Sequence, residues 1–360
     1  ASYKKKQCKP STAKSLLGRD NDIGELKKSF AQYNKVIISD QYGAGKSTFI
    51  NYYLYKVKPQ DYCYVDYQGS LTLTLKTIKF LDDSGIECTH SSCDDLMNPA
   101  FRSSLLIIDN MYVSPDFSQE LELLASFAVK VIVITTCDIH HKSFYDFKMS
   151  QLSDSDLQSI FEHTSGMSLK NGLEQAQLFT LTQRNVLMVS LIAGQCKALA
   201  KRSDGSDQPS DILNDFFSSL STSHSKPNTN SKTSQKRYKD SHDKKSADFF
   251  GHVKYVYTHF FDSYPGYEKE RELLKNLCYF GCSPIPLIFL QKVLPAYDRK
   301  TLTTLSDMGL LILTEDSILL TPLISFAVNA DINDSSTEDT SRHRCLCDNM
   351  TAFLRDYNLT

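Results

Sequence analysis

One segment, Asp40-Gln41-Tyr42-Gly43-Ala44-Gly45-Lys46-Ser47-Thr48, constrains this chain more than any other. Before it, residues 35–39 (KVIIS) read as a buried strand; after it, residues 47–56 carry helical spacing. A glycine-containing turn between a buried strand and a helix is an arrangement that binds phosphate. Gly43 and Gly45 let backbone N–H groups turn inward, and the helix N-terminus adds a dipole that favours anions. In such a loop Lys46 neutralises the β- and γ-phosphates and Ser47 holds Mg²⁺. The first position of the pattern, usually Gly, is Asp40. Its carboxylate would repel phosphate from inside and is expected to turn away from the pocket.

Further β-rich runs follow at 62–67, 104–109 (SLLIID) and 129–136 (VKVIVITT), separated by stretches that can hold helices. Near-continuous apolar strands alternating with helices predict a parallel sheet covered on both faces. The run 105–109 ends in Asp109, where a carboxylate can hold the hydration shell of Mg²⁺. Asn110 follows it. An amide can orient a water but cannot take its proton, so hydrolysis is expected to be slow or absent. At the end of the next strand, the hydroxyls of Thr135 and Thr136 fit two roles equally: sensing a γ-phosphate, or forming β-structure.

After residue 150 the β signal stops. Residues 153–161 (SDSDLQSIF) predict a capped helix, with Ser153 as N-cap and Asp156 at the third position, and 185–199 predict another. Between 221 and 248 only Tyr238 and Ala247 are apolar, and seven Lys or Arg face three Asp. That composition predicts a disordered linker. From 249 onward the spacing gives three helices at 268–280, 286–294 and 298–308, then a two-stranded ribbon at 310–313 and 317–320. Three helices before a β-hairpin is winged-helix order. The expected fold class is therefore α/β: a P-loop NTPase parallel-sheet domain (18–150) after an N-terminal tail (1–17), then a helical domain (151–220), the linker (221–248), a winged-helix domain (249–330) and a C-terminal helix within 331–360, which would open a further domain. A chain beginning at Ala1 is itself expected to be a fragment or a processed product.

Composition removes other classes. With 360 residues, 41% hydrophobic and 23% charged, the chain can bury a core in each domain. A net charge of −2 provides no global attraction for nucleic acid. No apolar run reaches the ~18 residues of a membrane span, and the first residues are basic without an apolar signal core. Ten scattered cysteines fit reduced thiols and a cytoplasmic location. Cys278 and Cys282 lack a second pair at zinc spacing, and His140-His141 has no matching ligand motif.

In order and spacing these residues resemble the nucleotide-binding apparatus of STAND ATPases, the NB-ARC family, over residues 17–328, with a texture closest to bacterial members. Leu17-Gly18-Arg19-Asp20 resembles the family's GRE segment, which lies against adenine. Residues 40–48 match its Walker A loop, 105–110 its Walker B strand, and Thr135-Thr136-Cys137 its TTR sensor. Val186 stands in the GxP segment, and Thr321 in the winged-helix MHD motif. The resemblance implies binding of ATP or ADP with Mg²⁺, the ligand contacts being Gly18, Arg19, Gly43, Ala44, Gly45, Lys46, Ser47, Thr48, Thr136, Val186 and Thr321, with Asp109 and Asn110 at the catalytic positions. It further implies a switch: ADP holds a closed form, and exchange for ATP permits opening and homo-oligomerisation, with sensor and effector supplied by other domains or proteins. The departures are Cys137 for the sensor arginine, Val186 for proline, Thr321 for histidine and Asn110 for the second acid. Each removes a contact that separates ATP from ADP or speeds hydrolysis. Thr321 can still donate one hydrogen bond to a β-phosphate. Two other readings stay open: a DNA-binding ATPase using the winged helix, for which 298–308 carries Arg299 and Lys300 but also Asp298 and Asp307, and a nucleotide-free scaffold.

Overall fold

The residues of strand Lys35–Ser39 are buried without exception, which is why this stretch reads as a continuous apolar run. In the computed structural model the cause is visible: side chains alternate between two cores. Val36 and Ile38 join Ile107, Ile132 and Ile134 on one face of a sheet, under Phe49, Ile50 and Tyr53. Ile37 joins Leu106, Ile108, Val131 and Val133 on the other face, under Leu71, Leu75, Leu121 and Leu124. Burying each such side chain contributes about 1.5–3 kcal/mol.

The structure describes residues 4–5, 16–59, 62–76, 80–81, 87–88, 96–97, 104–112, 117–203, 209–223, 244–281, 284–334 and 346–351. It divides into two units, residues 1–156 and 157–360. In the first unit the elements run β1 (Lys4–Lys5), α1 (Asp20–Gln32), β2 (Lys35–Ser39), α2 (Lys46–Val57), β3 (Tyr62–Asp66), α3 (Leu71–Lys76), β4 (Phe80–Leu81), β5 (Glu87–Cys88), β6 (Leu105–Met111), α4 (Phe117–Ser126), β7 (Lys130–Thr135) and β8 (Tyr145–Phe147). Five strands form one parallel sheet in the order β3-β6-β7-β2-β8. The strand that feeds the glycine loop therefore lies inside the sheet, and β7 separates it from β6, the strand that carries Asp109. The short strands β1, β4 and β5 pair antiparallel; β1 falls in the segment expected to be a tail.

The second unit begins inside α5 (Asp154–Ser165). The expected cap is present at the start of that helix: the Asp156 N–H donates to Ser153 Oγ at 3.1 Å, and Ser153 N–H to Asp156 Oδ2 at 3.1 Å. Then come α6 (Gly172–Thr182), α7 (Val186–Arg202), α8 (Pro209–Ser223), α9 (Lys244–Ser263), α10 (Glu268–Leu277), β9 (Ile285–Pro286), α11 (Leu287–Val293), α12 (Arg299–Asp307), β10 (Leu311–Leu313), β11 (Ser317–Leu320) and α13 (Pro322–Asp334). Strands β10 and β11 pair antiparallel, Leu311 opposite Leu320, and β9 adds to β11.

The segment expected to be a linker at 221–248 lies mostly outside the described residues. At its two ends α8 continues to Ser223 and α9 starts at Lys244. Position 330 falls within α13, and of the C-terminal helix residues 346–351 are helical, the remainder lying outside the described residues. No helix among the described residues is long and apolar enough to cross a membrane.

Candidate functional site

At the C-terminal end of β2 the chain turns through residues 40–45 into α2. Gly43 (φ 74°) and Gly45 (φ 87°) hold left-handed backbone, where an L side chain costs about 1–2 kcal/mol. Gly45 is the N-cap of α2, so no side chain caps that helix, and no acid occupies its first turn. Its leading N–H groups and positive dipole end are thus left to an anion. Ala44 is buried behind the loop, while Thr48 is exposed. The Asp40 carboxylate bends back to accept the N–H of Gln41 at 2.7 Å, and the Asp40 N–H donates to the Thr135 carbonyl at 3.4 Å.

Lys46 is buried, and its ammonium donates to the carbonyls of Asp40 at 2.7 Å and Gln41 at 2.8 Å. Burial lowers its pKa to about 8, against the opposing pull of Asp40, Asp109 and Cys137. Two carbonyl dipoles are a weak substitute for hydration, so a phosphate would restore a full counter-charge to this ammonium.

The other side of the site is set by strand register. Tyr64 lies opposite Ile107 and Asp66 opposite Asp109. Because side chains alternate, Tyr64, Asp66, Ile107 and Asp109 share the sheet face that carries α2. Asp109 is buried; its Oδ1 accepts the Asn110 N–H at 2.8 Å and its Oδ2 accepts the Tyr64 phenol. The same phenol lies beside Ser47, and burial with the charge of Asp109 pushes its pKa well up. Asn110 sits at φ 57°, a conformation asparagine tolerates, and its amide donates to Asp66 at 3.1 Å. Lost hydration, and then the charge of Asp109, raise the pKa of Asp66. Ser47 and Asp109 supply the hydroxyl and carboxylate oxygens that Mg²⁺ prefers, so the donor set fits that ion.

Arg19 closes the loop from behind. Its guanidinium pairs with Asp22 at 2.8 Å, donates to the Ser150 carbonyl, and reaches the Ala44 carbonyl at 3.4 Å. At Gly18 (φ 70°) a β-carbon would meet Asp156 at 2.7 Å and Leu152 at 2.8 Å, so glycine is required. Beyond β7 the Cys137 N–H donates to Thr135 Oγ1 at 3.1 Å, and half-buried Thr136 stands between them. The first unit therefore brings together Arg19, the loop from Asp40 to Ser47, Asp109 and Asn110. Val186 and Thr321 belong to the second unit. Val186 opens α7 behind the N-cap Asn185, whose side chain accepts from Leu187 N at 3.0 Å. Thr321 precedes α13, and its hydroxyl is buried with no hydrogen-bond partner among the described residues. Sequence reasoning missed Tyr64 and Asp66. Their signal is the alternation in 62–66 (YCYVD), which puts both on one face beside the strand that carries Asp109.

Among solved structures, the chain is similar to a STAND protein (signal transduction ATPase with numerous domains) with a tetratricopeptide repeat sensor from Pyrococcus horikoshii. That match has a TM-score of 0.56 at 13% identity, over 94% of this chain and 45% of the other. The fold is that of a P-loop NTPase. This chain thus spans less than half the length of that relative. A Walker-type ATPase of Pyrococcus abyssi (TM-score 0.41, 11% identity, 90% of this chain and 99% of the other) and a RuvB mutant of Thermotoga maritima (0.40, 12%, 92% and 99%) are also similar. No protein-family model and no curated protein matches the chain.

Proposed function

We propose that the chain binds ADP or ATP with Mg²⁺ on the loop from Asp40 to Thr48 and works as a STAND-type signalling switch. Nucleotide exchange would drive opening and homo-oligomerisation, and sensor and effector would be separate domains or proteins. One observation carries the reading: a buried ammonium, Lys46, lies beside two left-handed glycines at the uncapped start of α2. Those groups together make an anion cradle that a merely structural turn does not need. The order of helices and strands from α10 to β11, with β9 between α10 and α11, supports the winged-helix part of the reading. Thr136, Val186 and Thr321 enter through the resemblance, with the buried, unpartnered hydroxyl of Thr321 as added support. Slow or absent hydrolysis follows from Asn110, whose amide is engaged with Asp66 and cannot accept a proton.

A switch needs a nucleotide that binds its two forms with different affinity. The test is to denature the purified protein and identify any released nucleotide by mass, then to compare small-angle scattering with ADP and with ATP. Released ADP and two distinct profiles support the switch. Superimposable profiles reject it. A scaffold with a vestigial loop is the second reading, favoured by the hydrogen bonds that Lys46 makes to the loop's own carbonyls; a site that ignores added nucleotide would establish it.

A further inference from the structure

We propose that Tyr64 is a plug in the metal end of the site: its phenol lies between Ser47 and Asp109 and must leave before Mg²⁺ can reach both. The inference rests on the nucleotide reading and adds how metal entry is controlled. The phenol donates to Asp109 Oδ2 and lies beside Ser47, the two residues that would hold the ion. The remaining carboxylate oxygen already accepts the Asn110 N–H at 2.8 Å. Both oxygens of Asp109 are thus engaged, and the oxygen between it and Ser47 belongs to a neutral phenol. Mg²⁺ binds carboxylates, carbonyls and water at about 2.0–2.1 Å in near-octahedral geometry, which leaves no room for a bystander atom between its two protein partners.

The phosphate half of the site lacks this obstacle. Among the described residues no hydrogen bond joins the phenol to Lys46 or to a loop amide, so a diphosphate can settle without moving Tyr64. The ring is half-buried in the middle of β3, against the core under α2, and Tyr62 and Val65, which anchor that strand, are buried. Departure of the phenol therefore requires a side-chain rotation and no rearrangement of the sheet. The consequence is a chain that takes nucleotide readily without metal and gains little when Mg²⁺ is added.

The test is a fluorescence titration of the full chain with mant-ADP, in EDTA and in Mg²⁺, for the natural protein and Tyr64→Phe, with melting curves to verify that both are folded. The expected result is equal affinity in EDTA, a gain below about threefold with Mg²⁺ for the natural protein, and a gain of about tenfold or more for the variant, the scale of a lost hydrogen bond to a charged group. Equal Mg²⁺ gains in the two proteins would overturn the plug. So would a gain in the natural protein that the variant loses, since the phenol would then assist the metal. Absence of binding under every condition would refute the nucleotide reading and the plug with it, an outcome distinct from the other two.

Discussion

Gly194 on α7 lies so close to Asp307 at the end of α12 that a β-carbon there would stand 2.6 Å from the Asp307 carbonyl oxygen. The same aspartate draws in the next two turns of α7, accepting from Lys197 at 2.9 Å and Lys201 at 2.5 Å. Those two ammonium groups hold the Asp307 carboxyl below its usual range against the effect of burial. Gly194→Ala is expected to drive its β-carbon into the backbone of Asp307 and Met308 and lower stability by about 1–3 kcal/mol, the usual cost of overpacking. Chemical denaturation of the two proteins measures it.

One residue along, Gln195 is fully buried and neither polar atom of its amide has a partner among the described residues. Leaving a buried amide unsatisfied costs about 1–3 kcal/mol. Gln195→Met, which keeps the length of the side chain and removes the orphaned groups, is expected to raise the melting temperature by a few degrees.

Lys35 carries a titration that can be isolated. Its buried ammonium donates to the Phe127 carbonyl at 2.7 Å and to that of Val129, and burial lowers its pKa to about 8. The unfolded chain keeps this lysine protonated to about pH 10.4. Between about 8 and that value the unfolded state binds more protons, so stability at this site rises with pH. The gap in melting temperature between the natural protein and Lys35→Met should widen in the natural protein's favour from pH 8 to pH 10. A gap that is flat or narrows over that range contradicts the assignment.

Asn110 links two acids, Asp66 through its side chain and Asp109 through its backbone. Replacing it with Asp exchanges a donor for a third carboxylate. Asn110→Asp is expected to destabilise the protein by about 1–2 kcal/mol, and Asp66→Asn in the same chain should recover part of that loss. A double-mutant cycle that gives no coupling would show that the amide contact is immaterial.

Much of the first unit is legible in the sequence because its signals are local. The runs at 35–39, 62–67, 104–109 and 129–136 are apolar on both faces, as strands between two cores must be, and all four join the sheet. Strand β8 is not legible: at three residues, YDF, it shows no period, and only pairing of its backbone with β2 makes it a strand. The glycine loop could be read by composition and spacing. The Tyr64 bridge could not, because it depends on the register of β3 against β6, a relation between distant segments. Helix termini are intermediate: Ser153 caps where its side chain predicts, while α13 extends past the expected boundary at 330 because nothing in its polar end marks a stop.

The central claim is that Lys46 and the loop amides cradle the phosphates of a nucleotide. Isothermal titration of the nucleotide-stripped full chain with ADP, beside Lys46→Met, tests it most directly. The account predicts one ADP per natural chain and, for the variant, a loss of affinity of about thirtyfold or more, the scale of a lost charge-assisted contact. Equal affinity in the two proteins would contradict it.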